Sequence, residues 1–171
     1  MKTRIFLCCL CFGVLLGLVS CAGSTNRSLS ENIRVVLYAD TAETWVLDIQ
    51  KDGTVVAAHG DRSSYPDGME YSTYLDRLQY LTYFNVLTMQ REEGELRADQ
   101  FDTVDDAIKT LETLDKTVIT QIRNNVWMAA VFVGDKTYNF IYDQAEKPEY
   151  CAVVEQIISC SPMEIVLDDF E

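Results

Sequence analysis

The 171-residue chain predicts an α+β domain: a mostly antiparallel sheet built from two hairpins and a short C-terminal strand, with about three helices packed on one face. Three observations predict it. Asp52-Gly53 parts the alternating Trp45, Leu47 and Ile49 from a β-branched return at Thr54, Val55 and Val56. Gly134-Asp135 likewise parts an apolar run at 126–133 from Tyr138, Phe140 and Tyr142. Between and after these hairpins, apolar residues recur at helical spacing. Grouped strands separated by helices favour an antiparallel α+β arrangement over alternating parallel units.

The N-terminus comes first in the chain and has a different character. Lys2 and Arg4 precede an unbroken apolar run of 15 residues from Ile5 to Val19, which ends in small residues around Cys21. This is the layout of an export signal. A helix needs about 20 apolar residues to cross the hydrocarbon core, so a permanent transmembrane anchor is the weaker reading. Leu18-Val19-Ser20-Cys21 resembles the bacterial lipobox, in which the thiol receives a diacylglyceryl group, a dedicated peptidase cuts before it, and the new amine can be acylated. The resemblance implies a signal peptide over 1–20, lipidation at Cys21 and attachment to the membrane through that lipid. Two or three acyl chains, at about 0.8 kcal/mol per buried CH₂, give a stable anchor. Residues 22–32 are rich in Gly, Ser, Thr and Asn and read as a flexible tether, leaving 33–171 as one domain.

Residues 33–39 read as a strand, 44–50 as the outgoing arm of the first hairpin and 54–58 as its return, with Asp52-Gly53 as a type I′ turn. Gly60, Asp61, Ser63, Ser64, Pro66, Asp67 and Gly68 make 59–72 a long surface loop. A helix follows over about 73–87, although 80–86 also suits a strand. Glu92, Glu93 and Glu95 mark 91–100 as a charged connection. The next helix starts near Thr103 as N-cap, with Asp105 and Asp106 in its first turn and Val104, Ala107, Ile108, Leu111 and Leu114 as its apolar stripe. Residues 117–122 fit either helix or strand, because Val118 and Ile122 keep the helical period among β-branched neighbours. Residues 126–133 and 136–143 form the second hairpin about a II′ turn. Pro148 opens a last helix carrying Tyr150, Val153, Val154, Ile157 and Ile158, Ser161-Pro162 stops it, and 163–167 adds a short strand.

Val126-Trp127, Gly134-Asp135-Lys136-Thr137-Tyr138 and Ser161-Pro162-Met163-Glu164-Ile165 resemble the C-terminal half of small, poorly characterised lipoproteins of Gram-positive bacteria. Trp45-Val46-Leu47 before Asp52-Gly53-Thr54 resembles their opening hairpin. This resemblance implies one lipid-anchored domain and supplies no catalytic residues.

Cleavage changes the composition that matters. Cys8, Cys9 and Cys11 leave with the signal, Cys21 is capped, and Cys151 and Cys160 stay as thiols, so the six cysteines are not a disulfide framework. Loss of Lys2 and Arg4 leaves 12 basic residues against 27 acidic ones, a net charge of −15. That charge opposes phosphate backbones, so nucleic acid is excluded as a partner.

No cofactor or metal is expected. Zinc needs clustered Cys and His, which one histidine and two distant thiols do not supply, and the acidic residues lack EF-hand spacing. His59 beside Asp61, Ser63 and Ser64 allows a Ser-His-Asp set to be drawn, but such groups usually come from separate elements. Pairing Cys151 with His59 is weaker still, since Cys151 sits on an amphipathic helix among Val154 and Ile158. The aromatic residues Tyr65, Tyr71, Tyr74, Tyr80 and Tyr83 crowd one region. Tyr65, Asp67 and Tyr71, in the Pro-Asp-Gly loop, are the candidate recognition residues. The expected function is a lipid-anchored domain outside the cytoplasm, in the bacterial cell envelope, that binds a protein or glycan. A surface hydrolase with a site around His59, or an inhibitor of a secreted enzyme, is the alternative.

Overall fold

The structure, a computed structural model, describes residues 27–41, 43–62, 70–80, 86–114, 119 and 121–167, without side chains at 62 and 86–89. In chain order the elements are β1 (Ile33–Tyr38), β2 (Glu43–Ile49), β3 (Thr54–Arg62), α1 (Tyr71–Gln79), β4 (Val86–Glu95), α2 (Ala98–Thr113), β5 (Met128–Val133), β6 (Lys136–Ile141) and α3 (Pro148–Ile158). The strands form one six-stranded antiparallel sheet in the order β4-β3-β2-β1-β5-β6. The α+β class read from the sequence is thus the observed one.

The period-2 alternation of the strands builds two cores. Ile33, Val35 and Leu37 of β1, Trp45, Leu47 and Ile49 of β2, and Ala129, Val131 and Val133 of β5 point to one face. There they meet Val104, Ala107, Ile108 and Leu111 of α2 and Tyr150, Val153, Val154 and Ile157 of α3. The alternate residues Val36, Tyr38, Val46, Met128, Ala130 and Phe132 meet Tyr71, Tyr74 and Leu78 of α1 on the other face. The helices therefore divide two and one between the faces, where the sequence placed all three on one. The cause is legible in β5, whose six residues are all buried and need cover on both sides.

Several boundaries differ from expectation for identifiable reasons. Residues 86–95 are an edge strand rather than helix and connection. Gln90, Arg91, Glu92, Glu93 and Glu95 are solvent-exposed on it, the charged dress that keeps a free sheet edge from pairing with another chain. The α2 helix starts five residues before Thr103, because Gln100 Oε1 accepts the Arg97 backbone N–H at 2.8 Å while the Thr103 hydroxyl donates within the helix to Asp99 O at 3.2 Å. Residues 163–167 are not a strand; Met163, Ile165 and Leu167 pack against the larger core without joining the sheet. Ile119, Gln121 and Ile122 belong to neither helix nor strand, and 115–118 lie outside the described residues.

Both hairpins form where the sequence put them. At Gly134 φ is +54° with no positive φ at Asp135, as a II′ turn requires. The first turn is different. Gly53 N–H donates to Gln50 O at 2.9 Å and Ile49 pairs with Val55, so the loop is a three-residue type with Gly53 alone at positive φ (+91°), not a two-residue I′ turn. A Cβ on Gly53 would lie 2.5 Å from Phe101 Cζ. Gly53→Ala is expected to destabilise the domain by more than about 1 kcal/mol, through both backbone strain and this clash, read as a lowered urea midpoint.

The tether is also shorter than the sequence implied. Leu29 is 3% exposed, inside the larger core, and its N–H donates to Lys51 O at 2.9 Å. Arg27 Nη1 donates to Ala98 O at 2.5 Å and to Asp102 Oδ2 at 3.0 Å. Residues 27–32 are thus a docked arm, and only 22–26 separate Cys21 from it.

Candidate functional site

One end of the sheet gathers the polar groups that the core does not use. β2 begins at Glu43 and β3 runs on to Arg62, with Trp45 opposite His59 and Glu43 opposite Asp61. Register therefore sets Glu43, Trp45, His59 and Asp61 on one face. His59 stacks on the Trp45 ring with centroids 4.0 Å apart and planes 12° from parallel. His59 Nε2 lies 2.9 Å from Glu43 Oε1. Their side chains are 17% and 26% exposed, so the pair is reachable from solvent, while Trp45 beneath is buried. A carboxylate only accepts, so Nε2–H of His59 donates in this contact.

The ladder breaks beside this pair. His59 is opposite Gln90 but Gly60 is opposite Thr88, a bulge that takes in Met89. Bulges re-aim side chains and are common next to functional sites. The buried Trp45 Nε1 has no hydrogen-bond partner among the described residues.

Of the residues singled out from sequence, His59 stands at this end and Asp61 is exposed next to it. Glu43 was not singled out. Tyr65, Asp67, Ser63, Ser64 and Cys21 lie outside the described residues. Tyr71 is not a loop residue: it is the first residue of α1, it is buried, and its hydroxyl lies 2.6 Å from the Tyr38 hydroxyl and donates to Asn139 Oδ1 at 3.0 Å. It holds α1 to the sheet, so it does not offer a contact surface. Tyr74 joins the same layer, its ring edge-on to Tyr38 at 5.8 Å. Among the described residues no three His, Cys, Asp or Glu side chains come together as a metal site.

Cys151 and Cys160 are both buried thiols. Burial, with Glu155 adding to it, pushes the Cys151 thiol up to about 11; burial likewise pushes the Tyr142 hydroxyl up to about 12. Both groups hold their proton more tightly folded than unfolded. Their contribution to stability is complete below the ordinary values of 9.0 and 10.0 and is lost as pH rises through the folded ones. The urea midpoint is expected to stay level up to about pH 8.5 and to fall between about pH 9 and 12. A thiol-reactive dye at neutral pH is expected to label neither cysteine before unfolding.

A shallow groove of about 370 Å³ lies elsewhere, between the end of α3 and residues 161–165, lined by Glu155, Ile158, Ser161, Met163 and Ile165 among others. No helix among the described residues is long and apolar enough to cross a membrane. No family model, curated protein or solved structure matches this chain.

Proposed function

We propose that this protein is a lipid-anchored domain of a bacterial cell envelope, facing outside the cytoplasm, and that it binds a protein or glycan through the sheet end carrying His59, Glu43 and Asp61. The observation that carries this reading is the pairing of a lipobox at Leu18-Val19-Ser20-Cys21 with a domain whose chain is already docked at Arg27 and Leu29. The binding surface is assigned to the His59 end because a bulge, a stacked imidazole and an accessible carboxylate converge there near the end of β3. A photo-crosslinking residue placed at Thr41, which is exposed at this end, tests it in intact cells. Adducts of one discrete size, lost on adding His59→Ala with Glu43→Ala, are expected. Smears of random adducts that ignore the double substitution would contradict it.

The His59–Glu43 contact gives a second reading specific support. A histidine held by a carboxylate is an arrangement that hydrolases use for their general base. If a hydrolytic activity on esters, peptides or glycosides is present, His59→Ala should abolish it and Glu43→Gln should reduce it; activity indifferent to both substitutions would remove this reading.

A further inference from the structure

The chain turns after α3 and forms a wall beside it. Ser161 N–H donates to Ile158 O at 2.9 Å and Met163 N–H to Ser161 Oγ at 3.3 Å, which fixes a turn that Pro162 stiffens. Pro162 in turn packs on β4, where Gly94 leaves it room: a Cβ on Gly94 would lie 3.2 Å from the Pro162 Cβ. Residues 161–165 thus stand opposite Glu155 and Ile158 of α3, with the groove of about 370 Å³ between them. Gly94 is four residues along β4 from Gln90, which is paired with His59, so this wall is pinned about 13 Å along the sheet from the His59 row.

The groove combines aliphatic carbon with uncompensated carboxylates. Ile158, Met163 and Ile165 pack against the larger core but are only half-buried by it. Glu155 and Glu164 are exposed in the same lining, and Gln144 Nε2 holds Glu155 by donating to its Oε1. Neither carboxylate has an ion-pair partner among the described residues, and among these no Lys or Arg lines the groove. In a chain of net charge −13, such a surface selects a ligand that is cationic at one point and apolar at the next. Its volume is near the lower end of the about 300–1,000 Å³ of ligand pockets, which admits a short segment and not a whole helix. We propose that this groove is a second docking site, separate from the His59 end, and that it takes a short basic segment of a partner protein in which Lys or Arg neighbours an aliphatic residue. The aliphatic side chain lies against Ile158, Met163 and Ile165, with Met163 adapting to its shape, while the cation meets Glu155 and Glu164. Wall and helix are already in place, so little ordering opposes binding. The inference depends neither on lipidation nor on the reading of the His59 end.

The test uses the full chain as a bacterial host processes it, inserted by its N-terminus into a zwitterionic lipid layer on a sensor surface, with the bare layer as reference. Acetylated and amidated peptides are passed over it: Gly-Lys-Leu-Lys-Gly, Gly-Lys-Ser-Lys-Gly and Gly-Glu-Leu-Glu-Gly. Saturable binding is expected of the first alone, weakened several-fold by Glu155→Gln with Glu164→Gln and by rising salt. Asp76→Asn with Asp135→Asn, which removes exposed carboxylates elsewhere, should leave it unchanged. These carboxylates are all exposed, so both double variants should keep the wild-type urea midpoint. Equal binding of the Ser peptide, or equal weakening in the two double variants, would show diffuse charge attraction and overturn the proposal. Absence of binding to the wild type overturns it too. Binding that appears on deleting residues 168–171 would then give the groove to the chain's own tail, and a concentration-dependent dimer would give it to a second copy.

Discussion

Arg34→Ala is expected to lower the stability of the domain by about 3 kcal/mol, among the largest effects of any single substitution away from the apolar core. Arg34 Nε and Nη2 donate to the two oxygens of Asp48 at 2.6 and 2.7 Å, and Nη1 donates to Gln79 O at 2.8 Å. The side chain therefore ties β1 to β2 across the sheet and at the same time satisfies a carbonyl at the C-terminal end of α1, where a cation is favoured. Asp48 is only 7% exposed, so removing the guanidinium strips a nearly buried carboxylate of two charge-assisted hydrogen bonds. The double replacement Arg34→Met with Asp48→Leu should recover most of the loss, because an apolar pair of similar volume avoids the desolvation of both ions. Urea unfolding of the two variants checks this. A single substitution that costs nothing, or a double one no better than the single, would refute the assignment.

Phe140→Ala is expected to cost about 3–5 kcal/mol. Phe140 has no exposed surface, sits on the edge strand β6, and lies 4.9 Å from the Tyr150 ring of α3. Truncation empties a space bounded by a strand on one side and a helix on the other, and neither can close on it without breaking the Ala129 pairing or the α2–α3 contact. Phe140→Leu should cost clearly less, since it keeps much of the volume. Thermal and urea unfolding of the mature domain measure both.

The sequence was most readable where one residue type has one cause. Pro148 at the start of α3 and Gly134 in the second hairpin are both where their backbone preferences require. The first hairpin shows where such reading stops. A two-residue turn at Asp52-Gly53 would have set His59 opposite Val46, on the face that carries Asp48. The three-residue turn shifts the register by one position and turns His59 onto Trp45. The contact with Glu43 was hidden for the same reason: it exists only in the observed register. Exposed edge residues were misread because Glu92 and Glu93 show no alternation to mark β4. Tyr71 was misplaced because its hydroxyl is satisfied by Tyr38 and Asn139, residues 33 and 68 positions away along the chain.

The proposed anchoring rests on lipidation at Cys21. Metabolic labelling with a radioactive fatty acid, comparing the wild-type chain with Cys21→Ala, tests it most directly. Label on the wild-type protein, absent from Cys21→Ala and accompanied by release or mislocalisation of that variant, is the predicted result. Equal labelling of both proteins, or none of either, would contradict it.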